Sequence, residues 1–374
     1  MTHTPAPPFK HTSGAQDAKI VLVGEAWGKN EEVLGFPFVG WSGMELARIL
    51  NEVGLVEEPP PSPEPYLNST MLWYWWKRRT EVMTTNVFAF RPQDNKIETL
   101  CGKRADVPKD YPLPPLKQGH YVLPEYLGEL ERLRQEIEAF PRNLVVALGN
   151  TAAWATVQNT KISAIRGAIS PGVLCPTVKV LPAYHPANVL YQWQNRVILS
   201  TDMAKARHEG RFPEIRYPAR KIIVSPTIDE VEDWVNETLA SPPAALGVDT
   251  ETTRGLIDMV GFARSRSDAL VVPIFDNQTF DPYWPDVKTE ARAWRAVKRL
   301  CESDIPKVLQ NGLYDIQYFW RAKIALRAFK HDTMLMHHAM YPELPKGLGF
   351  LGSVYTNEAS WKLMRHREEL KRDD

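Results

Sequence analysis

Short runs of aliphatic and β-branched residues recur along the chain, and stretches with helical spacing of apolar positions lie between them. Strands are predicted at residues 19–23, 143–148 and 177–181, and again at 221–224, 245–248 and 269–274. Helices are predicted at 44–53, 126–140 and 228–239. Because strands alternate with helices, the pattern predicts an α/β fold class with parallel or mixed sheets.

The alternation is interrupted twice. Residues 209–220 contain two prolines and scattered charge without periodicity, so a linker is predicted between α/β domains at 1–208 and 221–374. An insertion at about 57–80 begins with a proline-rich stretch, 57–65, which should be extended and exposed. Aromatic and basic residues follow at 71–79. They could stack on bases and hold phosphates, or pack as an aromatic flap on the domain surface.

Composition narrows the class of protein. The 374 residues are 44% hydrophobic and 24% charged, with zero formal net charge, which excludes a disordered chain and a globally basic histone-like binder. Three cysteines exclude a disulfide scaffold and favour a reducing compartment. No apolar run reaches 18 residues, and the start of the chain lacks a signal-peptide pattern. We expect a cytoplasmic protein with no membrane partner.

Four residues in the first half are candidates for chemistry. Glu25 follows a predicted strand in a glycine turn, where α/β proteins bind ligands. Phe38 lies in a glycine-rich segment, 34–43, which lacks the Gly-Lys-Ser/Thr of a Walker loop. Asn86 begins an apolar run, and His185 follows a strand in a proline-bounded turn. Each of the three polar residues could instead be structural: a loop carboxylate, a turn cap and a packed surface imidazole.

Five ordered elements between about residues 18 and 207 resemble the uracil-DNA glycosylase superfamily, particularly the family-four bacterial and archaeal type. They are Gly-Glu-Ala-x-Gly at 24–28, Gly-x-Pro-Phe-Val-Gly at 35–40, Thr-Asn-Val at 85–87 with Arg-Pro at 91–92, Ala-Leu-Gly-x-Thr-Ala at 147–152 with Ile-Arg-Gly at 165–167, and His-Pro at 185–186. The resemblance implies a three-layer αβα sandwich that takes a flipped base into a pocket.

The resemblance also implies a role for each candidate. Asn86 would pair with the uracil edge and Phe38 would stack on the ring. Glu25 would stabilise positive charge on the sugar and place a water, and His185 would donate to a uracil oxygen as the base leaves. Further contacts are implied to the base from Gly24 and Ala26, and to DNA from Ser42, Arg91, Arg166 and Pro186.

Two departures from the family pattern bear on cofactor and substrate. Family-four members hold an iron–sulfur cluster on four cysteines. This chain has only Cys101, Cys175 and Cys301, and Phe90 stands where the family usually has a cysteine before Arg-Pro. No cluster is therefore expected in the glycosylase domain. Trp27 replaces the usual proline of the first motif, so the substrate is either uracil or another modified pyrimidine.

The second half contains a pair of acids, Asp249 and Glu251, at the end of a predicted strand. Residues i and i+2 of a strand face the same side, and converging carboxylates favour a hard metal ion, although an acid pair in a turn without metal is the alternative. With Asn311, Asp315 and the step 332–333, the pattern resembles the 3′–5′ exonuclease domain of family A DNA polymerases, a ribonuclease-H-like fold. The resemblance implies Mg²⁺ or Mn²⁺ held by Asp249, Glu251 and Asp315.

The resembled exonucleases carry a third motif, Tyr-x-x-x-Asp, which is missing after residue 355, where the tail 365–374 is simply charged. The exonuclease-like domain is therefore expected to be truncated, or to bind DNA without cutting it. The whole chain is expected to be a DNA glycosylase in repair or replication, in a bacterial or phage-infected cell, with DNA and a DNA polymerase chain as partners. The alternatives are a non-catalytic DNA-binding or polymerase-associated module and a bulk nuclease.

Overall fold

A computed structural model describes residues 3–276 and 278–356. The chain forms two compact units, one made of residues up to Ile215 together with those from Gly349, and one made of Arg216–Leu348. The region after residue 356, where the third exonuclease motif was sought and the charged tail lies, falls outside the described residues. Within the described ranges, none of the helices has the length and apolarity needed to span a membrane.

The first unit is built on a central sheet of mainly parallel strands. Its strands are β1 (Ser13–Gly14), β2 (Ile20–Ala26), β3 (Val82–Phe88), β6 (Leu144–Leu148), β7 (Ser170–Pro171) and β8 (Lys179–Ala183), and β4 (Cys101–Gly102) pairs with β5 (Tyr121–Val122) in a separate ribbon. The spatial order is β1-β3-β2-β6-β8-β7, with β3, β2, β6 and β8 parallel. From β2 the chain adds β3 on one side, and later β6 and β8 on the other side. The strand order therefore reverses between β2 and β6, and the ligand-binding switch point of an α/β fold lies at the carboxyl end of β2.

Helices cover both faces of this sheet. They are α1 (Lys29–Leu34), α2 (Trp41–Glu52), α3 (Ser69–Lys77), α4 (Gly128–Glu138), α5 (Asn150–Val157), α6 (Ile162–Ile165), α7 (Pro186–Tyr191) and α8 (Asn195–Glu209). Alternate strand residues face two separate cores. Leu22 and Val146 pack with α2, α3 and α8, whereas Val21 and Val145 pack with α4 and α5. The unit is therefore a three-layer αβα sandwich, as the sequence predicts.

The second unit has a mixed sheet in the order β14-β13-β10-β11-β12-β9. Its elements are β9 (Lys221–Ile223), α9 (Ile228–Ala240), β10 (Leu246–Thr253), β11 (Leu256–Ala263), β12 (Asp268–Pro273), α10 (Val287–Cys301), β13 (Lys307–Leu309), α11 (Leu313–Arg321), β14 (Phe329–Asp332) and α12 (Thr333–Met340). Strands β10, β11 and β12 are antiparallel neighbours, and the other pairs are parallel. Two α/β regions are thus present, which confirms the predicted fold class.

The last described helix, α13 (Leu348–Tyr355), differs from the sequence-based division of the chain. The sequence assigned all of 221–374 to the second domain, whereas the described residues from Gly349 pack within the first unit. Hydrogen bonds from two basic side chains of the first unit account for this packing. Arg166 donates to the Ser353 hydroxyl at 2.8 Å, and Lys205 donates to the Thr356 carbonyl at 2.6 Å. These contacts join α13 to α6 and α8.

The insertion at 57–80 has two parts. Residues 57–68 contain no helix or strand, and α3 follows with Asn68 as its N-cap, accepting from the Met71 N–H at 3.0 Å. Trp75 and Trp76 of α3 are buried in the core, whereas Met71, Tyr74 and Lys77 are exposed. The flap interpretation therefore holds for one side of α3 only.

Candidate functional site

The candidate site of the first unit lies at the carboxyl ends of the parallel strands. Strand β2 supplies Gly24 and Glu25, and β3 supplies Asn86 in register with Gly24. A Cβ atom added to Gly24 would lie 2.2 Å from Asn86 Oδ1 and 2.7 Å from Phe38 Cζ. The structure therefore brings together Gly24, Phe38 and Asn86, three of the four residues predicted to bind the base. Ala26, the fourth, pairs with Phe88 at the end of the same strands.

Phe38 is held in a conformation that few residues other than glycine adopt. Its φ angle is +57°, in the left-handed region, and its side chain is buried. The indole N–H of Trp76 donates to the Phe38 carbonyl at 2.9 Å, and any side chain at Gly43 would collide with that carbonyl. Glu31 completes the support by accepting from the backbone N–H groups of Val39 and Gly40. The contacts from Trp76 and Glu31 thus hold the strained backbone of Phe38, and with it the position of the ring.

His185 faces Phe38. The two rings are 25° from parallel, with 6.1 Å between their centroids. The N–H of Ala187 donates to His185 Nδ1 at 3.2 Å, so Nδ1 is unprotonated and the proton of the neutral ring is on Nε2. Burial lowers the pKa of His185 to about 4, which keeps the ring neutral at physiological pH. The site therefore presents a neutral imidazole whose Nε2–H is the donor.

Glu25 is the acid at the switch point. The hydroxyl of Thr151, in the first turn of α5, donates to its carboxylate. Burial raises the pKa of Glu25, and the hydrogen bond from Thr151 lowers it by a smaller amount. A half-buried carboxylate with one fixed donor retains an oxygen for another partner, such as a water or a cationic sugar. Thr151 belongs to the motif at 147–152, but that motif did not indicate the contact with Glu25.

The open edge of β3 is closed by a buried ionic cluster. Arg132 donates to the carbonyls of Asn86 at 2.6 Å and Val87 at 3.0 Å, and it pairs with Glu129 and Glu136. Strand β1 covers only the first part of β3, so Arg132 satisfies carbonyls that lack a strand partner. This cluster holds the backbone of Asn86, and it was not predicted from the sequence because its side chains belong to α4, more than 40 residues away from Asn86.

The four residues predicted to contact DNA lie in different environments. Ser42 is half-buried in the first turn of α2, and Pro186 is buried at the first position of α7. Arg91 pairs with Glu32 at 2.9 Å and remains partly exposed. Arg166 is 1% exposed and forms a bidentate pair with Asp202. In this structure Arg166 therefore holds α6 to α8 and presents no charge at the surface.

The residues that would ligate an iron–sulfur cluster are not in place. Phe90 packs against His3, Phe88 and Tyr126, with ring centroids 4.5–6.0 Å apart. Burial raises the pKa of the thiols to about 11 at Cys101 and about 12 at Cys175 and Cys301, which opposes the thiolate form that a cluster needs. Cys301 also belongs to the second unit. Three protonated thiols do not fit a cluster held by four thiolates.

Trp27, the other departure in the sequence, is half-buried and packs edge-on against His11, with 4.7 Å between ring centroids. His11 Nδ1 in turn contacts the carbonyl of Gly35 at 2.9 Å. The indole N–H of Trp27 is buried and has no hydrogen-bond partner among the described residues. This donor, within the first motif, is available to an acceptor on a ligand.

In the second unit, Asp249 and Glu251 are exposed on β10 and alternate with buried Val248 and Thr250. This is the side-by-side arrangement that the sequence predicts. Partial loss of water contact, the largest cause, and the nearby charges of Asp315 and Glu251 together raise the pKa of Asp249 to about 6. The three carboxylates therefore share one electrostatic environment.

The remaining acids are engaged with backbone groups. Asp315 accepts from the Thr250 N–H at 2.9 Å and from its hydroxyl at 2.6 Å. Asp332 caps α12 and also accepts from the N–H groups of Asn311 and Gly312, so it is not free to replace a missing metal ligand. Within the described part of the chain, no group of three or more His, Cys, Asp or Glu side chains is arranged to hold a metal ion. The carboxylates have suitable oxygen donors but no preformed cage.

Comparison with known proteins agrees with these observations. The family model of the uracil DNA glycosylase superfamily matches residues 11–208, and a 3′–5′ exonuclease model matches 222–363. A type-4 uracil-DNA glycosylase of Archaeoglobus fulgidus is 30% identical over 198 residues, covering 51% of this chain and 77% of that protein. The type-4 enzyme of Thermotoga maritima is 29% identical over 196 residues, covering 52% and 79%.

Among solved structures, Escherichia coli RNase D aligns with 38% of this chain at 15% identity, with a TM-score of 0.26, over 34% of its own length. The exonuclease domain of Aedes aegypti Nibbler aligns with 39% of this chain at 11% identity, with a TM-score of 0.28, over 74% of its length. From the family models and the curated relatives, the chain belongs to the uracil DNA glycosylase superfamily and carries a second domain of the 3′–5′ exonuclease family.

Proposed function

We propose that the first domain hydrolyses the N-glycosidic bond of uracil, or of a closely related modified pyrimidine, in DNA. The observation that carries the proposal is the neutral His185, with its Nε2 donor, facing Phe38 across 6.1 Å at the strand end that also holds Asn86 and Glu25. The similarity to type-4 uracil-DNA glycosylases supports the same substrate.

Base recognition follows from the buried pair Phe38 and Asn86. An aromatic ring fixed by its backbone offers a stacking face to a flipped base. The Asn86 amide can donate to one group and accept from another, which matches the alternating acceptor and donor of a uracil edge. Gly24 leaves room for both side chains, since a Cβ there would overlap them.

Bond cleavage requires stabilisation of two opposite charges. As the glycosidic bond breaks, positive charge grows on the sugar and negative charge grows on the leaving base. The ionised Glu25 stabilises the sugar and positions the attacking water, while the Nε2–H of neutral His185 donates to the oxygen of the departing uracil. A neutral imidazole suits this task because it enters the step already carrying the proton on the correct nitrogen.

The direct test uses labelled single- and double-stranded oligonucleotides with one uracil, treated with alkali to cleave abasic sites. Strand scission at the uracil, absent with thymine at the same position, is the expected result. An intact uracil strand under conditions where the protein binds DNA would favour the alternative, a non-catalytic DNA-binding or polymerase-associated module. Parallel strands with other modified pyrimidines define the preferred base.

We further propose that the second domain binds a divalent ion weakly and degrades DNA slowly or not at all. Asp249, Glu251 and Asp315 supply ligands for one Mg²⁺ or Mn²⁺, with water filling the shell. Two-ion cleavage needs both ions about 4 Å apart, and Asp332 is already occupied as a helix cap. The combination of domains supports a role in DNA repair or replication, with a DNA polymerase chain as the companion.

For this domain we expect little shortening of a 5′-labelled single strand incubated with Mn²⁺, with the same slow rate in the intact chain and in Asp249→Ala. The matched control is Asp229→Ala, which removes a carboxylate that is 81% exposed on α9. A rapid ladder of products that disappears in Asp249→Ala but persists in Asp229→Ala would show instead that the exonuclease is complete.

The glycosylase is also proposed to work without an iron–sulfur cluster, because Phe90 and its aromatic neighbours occupy the position of a ligand. The purified protein is therefore expected to be colourless, with far less than one iron atom per chain. Visible absorption spectra and an iron assay on protein purified without oxygen measure this. Stoichiometric iron together with the visible absorption of a Cys-ligated cluster would contradict it.

A further inference from the structure

The insertion helix α3 carries a row of large side chains on its solvent side, of which Met71, Tyr74 and Lys77 are exposed and Trp73 is half-buried. We propose that this row, formed by Met71, Trp73, Tyr74 and Lys77 and here named the α3 face, binds unpaired bases of single-stranded DNA. The proposal uses the proposed glycosylase activity only to say which DNA reaches the surface. The affinity for a strand without uracil is independent of that activity.

The two sides of α3 are sharply different. Leu72, Trp75 and Trp76 are at most 2% exposed, whereas Met71 and Tyr74 are 54% and 53% exposed. An apolar stripe towards the core is expected of any surface helix, and the opposite side is normally polar. Here the solvent side also carries a methionine and aromatic rings, and contiguous exposed apolar surface marks binding sites.

A cavity of about 590 Å³ adjoins the α3 face. It lies between α1 and the insertion, and its walls include the exposed side chains Val33 and Tyr66 together with Met71. Binding cavities for small molecules range from about 300 to 1,000 Å³, so this one can accept a nucleobase. Glu64 is the acidic residue of the cavity lining and would repel a phosphate group. We therefore expect the phosphates of a bound strand to lie near Lys77 of the α3 face, outside the cavity.

The chemistry of the α3 face matches a nucleic-acid strand. Trp73 stacks on Phe36 with 4.9 Å between centroids and contacts Tyr74 at 4.6 Å. The Lys77 ammonium lies 5.2 Å from the centre of the Trp73 ring. Rings that stack on bases, next to a cation that meets the phosphate, are the two components of sequence-tolerant single-strand sites. An apolar protein partner, unlike DNA, would not require the Lys77 ammonium beside the aromatic rings.

The α3 face adjoins the loop that carries Phe38, and the buried side of the same helix contacts that loop as well. Trp76 of the same helix donates to the carbonyl of Phe38, the residue proposed to stack on the flipped base. Phe36, two residues earlier in the same loop, is the ring on which Trp73 stacks. We therefore expect a strand whose base reaches Phe38 to place neighbouring unpaired bases near Phe36 and Trp73.

The test measures binding of a fluorescent, uracil-free single strand of mixed sequence to the full chain at several salt concentrations. Tyr74→Ala is expected to raise Kd about tenfold, the effect of losing one stacked base. Lys77→Ala is expected to reduce the slope of log affinity against log salt by about 0.7, the effect of one lost phosphate contact. Tyr74→Phe retains the ring and should restore the affinity.

Matched controls are Tyr217→Ala and Lys109→Ala, which remove an exposed tyrosine and an exposed lysine from other surfaces. Affinities of Tyr74→Ala and Lys77→Ala within twofold of the parent chain would overturn the proposal and assign the α3 face to a protein partner. An equal loss in the controls would overturn it as well. If α3 variants lose affinity in a chain that excises no uracil, the glycosylase proposal fails and this one stands.

Discussion

Replacing His185 by alanine is expected to lower the single-turnover rate of uracil excision by 10²- to 10³-fold, the usual effect of removing one donor to a developing oxyanion. The N–H of Ala187 fixes the ring with its proton on Nε2, and the alanine variant lacks this donor. Affinity for the substrate strand should change little, because the bond strengthens only as the base leaves. Rapid-quench measurement with excess protein separates the two quantities.

The control for this variant is His208→Ala, which removes an imidazole that is 63% exposed on α8. His185→Gln retains an N–H donor and should recover part of the rate. Equal rates for His185→Ala and the parent chain would remove His185 from the mechanism. A large loss of DNA affinity with an unchanged rate would instead give it a binding role.

The pH dependence of the excision rate distinguishes the role of Glu25 from that of His185. Burial raises the pKa of Glu25, so this carboxylate takes up a proton at higher pH than an ordinary glutamate as the solution is acidified. His185, with a pKa of about 4, stays neutral over most of that range. The excision rate should therefore fall on the acid side through the pKa of Glu25, and Glu25→Gln should flatten that limb. A midpoint near 6.5 that persists in Glu25→Gln would indicate histidine.

Six of the strands were predictable from the sequence, because an apolar strand run is a local signal. Strand β3 shows the limit of that signal. The sequence placed Asn86 at the start of an apolar run, whereas β3 begins at Val82 and includes Thr84 and Thr85. Polar residues survive inside a buried strand here because distant groups satisfy them, and Thr85 donates to Glu136 of α4 at 2.7 Å. Partners 51 residues apart leave no local pattern.

Arginine roles were the least predictable part of the site. The motif that contains Arg166 indicates a charge near DNA, but its environment depends on Asp202 of α8 and on Ser353. Arg132, which no motif indicated, holds the backbone of Asn86. Whether a guanidinium is buried in a salt bridge or exposed to phosphate is decided by tertiary packing, which a single sequence does not encode locally.

The acid pair of the second domain, unlike the arginines, was predictable from a local pattern. The two-residue period of a strand places Asp249 and Glu251 on the same side, and β10 has them so. The limits appear with the acids contributed by other elements. Asp315 is bonded to Thr250, and Asp332 to the start of α12, through contacts that depend on how β13 and β14 lie beside β10.

Gly24→Ala is expected to abolish detectable excision, or to lower it by at least about 10²-fold, through the geometry of the base pocket. The added Cβ would lie 2.2 Å from Asn86 Oδ1 and 2.7 Å from Phe38 Cζ, both well inside contact distance. Both side chains are buried, so one of them must move. Either movement removes a contact to the base, by losing the amide pairing or by displacing the stacking ring.

The backbone at Gly24 itself has no left-handed φ angle, so alanine fits the strand and the effect falls on the pocket. Gly347→Ala is the matched control, since a Cβ there meets no atom within 4 Å. Thermal melting checks that both variants fold, and competition by free uracil measures the pocket separately from the DNA contacts. A Gly24→Ala chain that excises uracil at the parent rate would show that Asn86 and Phe38 do not form the base pocket.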